Sequence, residues 1–120
     1  MTPRDRELLG RIIECIDAVD GYTARVGAHW ADDDMAVDAI AKRVEEIGEV
    51  AKRLTAEALA LMPGVDWRGV KGIRDVIAHD YLDVEIDVVA DVVANYLPAL
   101  RAEIGRALGA EGRAGLDFRA

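Results

Sequence analysis

The sequence predicts an all-α protein, an antiparallel helical bundle of three long helices with shorter ones between them. Three observations carry this prediction. Apolar residues recur every three or four positions over three long stretches, the period of one helix face. Of the 120 residues 52% are hydrophobic but only 5% aromatic, an aliphatic profile unlike that of a β-rich or disordered chain. Capping residues, glycines and prolines fall mainly between those stretches, where helices start and stop. The length suits one domain, 1–108, without room for a separate substrate domain.

The first helix is expected from about Arg4 to Val26, with Leu8, Leu9, Ile12, Cys15, Ile16, Val19, Tyr22 and Val26 on one face and Gly27 ending it. His29 falls in the following link and has no ligand-spaced companion, so it reads as a loop residue. The acids Asp32, Asp33 and Asp34 then offer a cap for a second helix, expected from about Asp33 to Leu54. Val37, Ile40, Val44, Ile47, Ala51 and Leu54 form its seam. Gly48 inside that helix costs about 1 kcal/mol of propensity, which predicts a close helix crossing or a dimer contact there. Thr55 starts a short helix stopped by Pro63 and Gly64, and Asp66 caps another turn that runs through Trp67 and Val70 into the motif helix, with Trp67 in the core.

The last long helix is expected to be capped by Asp83, with Ile86, Val89, Val93, Tyr96, Leu97, Leu100, Ile104 and Leu108 inward. Pro98 removes a backbone donor and should kink it near Ala94. Residues 109–120 lose the helical period and are glycine-rich, so a flexible C-terminal tail is expected. Broad apolar stripes on so small a bundle predict a dimer face.

Chemistry concentrates in the run Arg74-Asp75-Val76-Ile77-Ala78-His79-Asp80-Tyr81. On a helix Arg74 and Tyr81 fall almost on one line, and Asp75 and His79 stack at i and i+4 on the neighbouring line. Arginine offers a charged planar fork of donors that matches phosphate oxygens, whereas histidine titrates near neutrality and can take or give a proton within a turnover. Asp75, one turn before His79, is placed to orient the imidazole. The same residues also admit a purely structural role: an ion pair for Arg74, a helix cap for His79 and a packed ring for Tyr81. Spacing alone leaves both readings open.

The flanking residues add a resemblance. Trp67-Arg68-Gly69-Val70-Lys71-Gly72-Ile73 leads into the motif, and Leu82-Asp83-Val84-Glu85-Ile86-Asp87 follows it. Together with Arg43-Val44-Glu45-Glu46-Ile47-Gly48-Glu49-Val50-Ala51-Lys52-Arg53-Leu54 and the Pro63 to Trp67 spacing, this resembles the HepT-like branch of the HEPN domains over roughly residues 4 to 105. The resemblance implies an all-helical, usually dimeric, metal-independent endoribonuclease, the toxin of a bacterial or archaeal toxin–antitoxin pair. Its implied partner is a minimal nucleotidyltransferase antitoxin, and its implied substrate is RNA. On this resemblance Arg74 and His79 are the catalytic pair, Asp75 is the polar residue that follows the arginine, and Tyr81 is the hydroxyl that the partner modifies with AMP. No metal or other cofactor is implied. Asp75 stands where asparagine is also frequent, and Glu46 where an apolar residue is more usual.

The net charge of −8 and the pI near 4.7 argue against a general nucleic-acid binder. Its distribution matters more than its sum. Residues 42–74 hold seven basic and five acidic side chains, whereas between Asp75 and Leu100 there are six acids and no lysine or arginine. The motif therefore sits at a boundary of charge that suits local RNA contact beside a basic protein partner. The acidic balance also admits a noncatalytic helical module that holds a nucleotide or a partner. Cys15, the only cysteine, lies in an apolar pattern and reads as a buried structural thiol. The N-terminal residues carry no apolar signal core and no run approaches a membrane span, so the cytoplasm is the expected compartment.

Overall fold

The computed structural model describes the backbone of residues 1–77 and 85–119 and the side chains of residues 1–77 and 85–110. Seven α-helices follow one another among these residues: α1 Pro3–Val26, α2 Asp34–Ala51, α3 Ala56–Ala60, α4 Trp67–Lys71, α5 Ile73–Ile77, α6 Ile86–Asp91 and α7 Leu97–Arg119. A 3₁₀ turn, Trp30–Asp32, links α1 to α2, and a π-helical turn, Val92–Tyr96, joins α6 to α7. No strand occurs among the described residues, so the all-α expectation holds.

Local chemistry starts and stops each helix. Thr2 caps α1 in a capping box: its hydroxyl accepts from the Asp5 N–H at 3.0 Å, and the Asp5 carboxylate accepts from the Thr2 N–H at 3.1 Å. Gly27 ends α1 at φ 101°, a conformation that favours glycine, and donates its N–H to the Thr23 carbonyl at 2.8 Å. Asp33 caps α2 through the Ala36 N–H, Thr55 caps α3 through the Ala58 N–H, and Asp66 caps α4 through the Gly69 N–H.

α1 and α2 pack lengthwise and supply the largest share of the core. Every residue of the expected α2 seam, from Val37 to Leu54, is buried. On α1 the face from Leu8 to Val19 is buried, whereas Tyr22 is half-buried and Val26 is exposed as the helix outruns its neighbours. Trp67 packs in the core with its indole N–H donated to the Met62 carbonyl at 3.3 Å. Gly48 marks a close crossing: a Cβ built there would lie 2.9 Å from both Ile73 Cγ2 and the Val70 carbonyl oxygen. α2 thus meets α4 and α5 nearly backbone to backbone.

The final helical arm differs from the expected single helix with a proline kink. The Leu97 N–H bonds the Val92 carbonyl, five residues back, which opens the helix into a π turn just before Pro98. One extra residue in that turn absorbs the missing proline donor and shifts the inward face. Buried positions therefore run Val89, Val92, Leu97, Leu100, Ile104 and Ala107, with a step of five from Val92 to Leu97. Val93, Tyr96 and Leu108 are only half-buried, because strict 3.6-residue counting fails across the turn, and Ile86, the first residue of α6 before that turn, is exposed. The N-cap of α6 is Glu85, without a side-chain cap bond; the proposed cap Asp83 lies outside the described residues. Fading of the apolar period at 109 does not end the helical backbone, which continues through Arg119. The glycines there each cost about 1 kcal/mol but are interspersed with alanine, leucine and glutamate, which favour helix.

One buried carboxylate ties the bundle ends together. Asp5, 1% exposed, accepts from the Thr55 N–H at 3.0 Å and the Thr55 hydroxyl at 2.7 Å as well as from Thr2, so the start of α1 is bound to the start of α3. Burial pushes its carboxyl up, but the hydrogen bonds from Thr55 and Thr2 outweigh that and hold it down at about 2. A depressed folded-state value means stability that is fully present above the unfolded carboxylate range and is lost as pH falls, here between roughly pH 4 and pH 2. Asp5→Asn should be about 2 kcal/mol less stable at neutral pH, and its disadvantage should shrink through that window. Thermal melts of both proteins from pH 7 to pH 2 test this; a constant difference across the range would rule the linkage out.

Candidate active site

α5 presents the first half of the motif. Its inward residues Ile73 and Ile77 are buried at i and i+4, which leaves Arg74, Asp75 and Val76 exposed on the outer face. The Asp75 N–H bonds the Gly72 carbonyl at 3.0 Å, so the backbone turns at Gly72 and α5 starts as a separate short helix after α4. At its far end the Ile77 carbonyl accepts from the Glu85 N–H at 2.7 Å, which joins the end of α5 to the residue before α6. His79 and Tyr81 lie outside the described residues.

Arg74 lines a cleft of about 260 Å³ with Lys42, Glu45, Glu46 and Glu49. The four α2 residues are spaced i, i+3, i+4 and i+7, so a single charged stripe of α2 faces the arginine. Two of the three glutamates are held by cations. Glu46 accepts from Arg11 Nε at 2.5 Å and lies 3.7 Å from Arg43 Nη1, and the Arg11 bond draws its carboxyl below the usual range. Glu49 accepts from Lys52 Nζ at 3.0 Å; that bond lowers its carboxyl, and the fields of Arg74 and Arg53 add to the effect. The charges of Glu46 and Glu49 are thus met by neighbours on α1, on α2 and at the C-cap of α2, before any ligand arrives.

Beneath the stripe, Cys15 is fully buried between α1 and α2, and burial pushes its thiol up, consistent with a structural role. Arg43 Nε donates to the Tyr22 hydroxyl at 3.3 Å. Asp75 is exposed but does not line the Arg74 cleft. His29 is exposed in the turn after α1, 4.0 Å from Asp32. No group of three or more His, Cys, Asp or Glu among the described residues is arranged to hold a metal ion. No helix among them is long and apolar enough to cross a membrane.

Sequence reasoning singled out Arg74 but missed Lys42 and Glu45 as its cleft neighbours. The signal was present in the 42, 45, 46, 49 spacing, but the partner of that stripe depends on how α5 crosses α2. A larger depression of about 330 Å³ lies between the Gly64–Asp66 link and α7, with Asn95, Tyr96 and Glu103 in its lining and none of the motif cations. A third, mostly apolar groove of about 200 Å³ runs beside α5 along Ile73, Val76, Val88, Val92 and Tyr96.

A family profile described as ribonuclease HepT-like matches residues 12–107. Among curated relatives, "Probable ribonuclease HepT" of Thermococcus cleftensis is 25% identical over 82% of this chain and 90% of its own length. A candidate RNase of Methanocaldococcus jannaschii is 30% identical over 68% of each chain. A further protein of that organism, named as a gamma-glutamylcyclotransferase and candidate RNase, is 28% identical over 80% of this chain, which spans 44% of that relative's length. No solved structure matches the chain at a significant level. With the helical bundle, the Gly48 crossing and the Arg74 cleft inside the matched span, the chain belongs to the ribonuclease HepT-like family.

Proposed function

We propose that this chain is a metal-independent endoribonuclease, the toxin of a toxin–antitoxin pair whose antitoxin is a minimal nucleotidyltransferase. The observation that carries the reading is the exposed guanidinium of Arg74, held at a cleft by a helix whose Ile73 and Ile77 are locked in the core, in a chain of the HepT-like family. A charged fork fixed on a rigid element and open to solvent is suited to a phosphodiester oxygen. In the proposed reaction His79 takes the ribose 2′-hydroxyl proton, and the 2′-oxygen attacks the adjacent phosphorus. The bond to the 5′-oxygen breaks, and that oxygen leaves as a hydroxyl after gaining a proton. Arg74 stabilises the charge that builds on the phosphoryl oxygens, and Asp75 orients His79. The products are a 2′,3′-cyclic phosphate and a 5′-hydroxyl.

A homodimer completes the site in this reading. Val76, 55% exposed, lines the apolar groove between α5 and α6 two residues after Arg74 in sequence, so a second copy would cover an otherwise wet apolar strip. Tyr81 is the regulatory residue: its hydroxyl attacks the α-phosphorus of ATP held by the antitoxin, pyrophosphate leaves, and the attached AMP brings negative charge and bulk beside the site.

Purified protein should cleave end-labelled single-stranded RNA in EDTA to cyclic-phosphate ends. Arg74→Ala and His79→Ala should each slow it by about 10²-fold or more while keeping the wild-type melting temperature. Cleavage that survives either substitution would remove that residue from the mechanism. Coexpression with the nucleotidyltransferase should add the mass of AMP at Tyr81 and abolish cleavage; an inactive complex with unmodified Tyr81 would exclude this mode of control.

A further inference from the structure

We infer that Lys42 is a substrate-positioning residue that holds an RNA backbone phosphate neighbouring the one gripped by Arg74. This rests on the ribonuclease reading above and assigns a second contact within the same cleft.

Five charged side chains line the cleft, three of them carboxylates, which at first sight repels RNA. Two of the carboxylates are already satisfied from outside it: Glu46 by Arg11 and Arg43, and Glu49 by Lys52. Lys42 and Arg74, by contrast, have no hydrogen bond or ion pair within the described residues, and both are exposed. Among the described residues the cleft therefore offers two available cations against one free carboxylate, Glu45, while the ion pairs keep the other two acids from capturing them.

Geometry separates the two cations. Seven residues of α2 from Lys42 to Glu49 rise about 10 Å. Arg74 acts on the field at Glu49, at one end of the stripe, and Lys42 stands at the other end. Two cations so placed suit successive phosphates of one strand better than two oxygens of one phosphate. The cleft, at about 260 Å³, is small beside ordinary ligand pockets, so it fits backbone and sugar and not an enclosed base. Residue types agree with this division. Arginine's planar fork suits the phosphate whose charge must be met in a fixed geometry, whereas lysine's flexible stem carries a point charge that follows a mobile backbone. Lys42 is anchored where it matters, since the adjacent Ala41 and the nearby Val44 are buried in the α2 seam.

The test measures binding of a fully 2′-O-methylated single-stranded RNA, which cannot be cleaved by this chemistry, and cleavage of the unmodified strand. Both are followed over a salt series for wild type, Lys42→Gln, Lys42→Arg and the off-cleft control Arg25→Gln. Lys42→Gln should weaken binding about five- to tenfold and lower the slope of log affinity against log salt by about 0.7, one phosphate contact on a single strand. The loss should appear mainly in KM, Lys42→Arg should recover most of it, and Arg25→Gln should change neither the slope nor KM. Equal effects of Lys42→Gln and Arg25→Gln, or an unchanged salt slope, would overturn the assignment even if the wild type cleaves RNA. Lys42-dependent binding without wild-type cleavage would support the phosphate subsite and count against the nuclease reading. Wild type that neither binds nor cleaves would refute both.

Discussion

The close approach of α2 to α4 and α5 at Gly48 is the constraint on which the rest of this structure depends. With the Val70 carbonyl and the Ile73 side chain both 2.9 Å from where a Cβ would lie, no other residue fits without moving one of the helices. That contact fixes the height of α5 on the bundle, and α5 carries Arg74. The propensity cost of a mid-helix glycine is small beside the packing it permits: Ile47, Val70, Ile73 and Ile77 are all buried around the crossing. Gly72 completes the arrangement by letting the backbone end α4 and restart as α5, which turns Arg74 outward while Ile73 and Ile77 stay in the core.

The same crossing reconciles an acidic protein with an anionic substrate. A net charge of −8 describes the whole surface, but what a phosphate meets is the α2 stripe and the arginine opposite it. Along that stripe the acids are committed to neighbours, Glu46 across the helix pair to Arg11 and Glu49 along the helix to Lys52. Exposed pairs of this kind add little to stability. Their effect here is on the local field: they leave the cations of the cleft available. Glu46, unexpected where an apolar residue is more usual, is accommodated because Arg11 and Arg43 reach it from both sides and it need not enter the core.

Much of this was legible in the sequence because helix periodicity and capping are local. The α2 seam, the Gly27 stop, the Thr55 and Asp66 caps and the buried Trp67 all follow from neighbours a few residues apart, whereas the mid-helix Gly48 signalled a close contact without saying whether another helix or a second copy makes it. In the last arm Val89, Leu97, Leu100 and Ile104 are buried as expected, but Val92 takes the inward place expected of Val93 and Tyr96 is only half-buried, because a π turn inserts a residue, and only the missing donor of Pro98 hinted at it. The role of Asp5 was hidden for a different reason: two of the three hydrogen bonds its carboxylate accepts come from Thr55, fifty positions away. Arg74 stood out by residue type and spacing, whereas Lys42 and Glu45 did not, since membership of a cleft is a property of how two helices cross.

If the Gly48 crossing sets the position of Arg74, a methyl group placed there must disturb the site before it unfolds the protein. The most direct measurement is the RNA cleavage rate of Gly48→Ala at a temperature well below its own melting midpoint. The account predicts a folded protein, destabilised by about 1–3 kcal/mol, that cleaves at least about tenfold more slowly than wild type. Wild-type cleavage by a Gly48→Ala protein with an unchanged midpoint would contradict it.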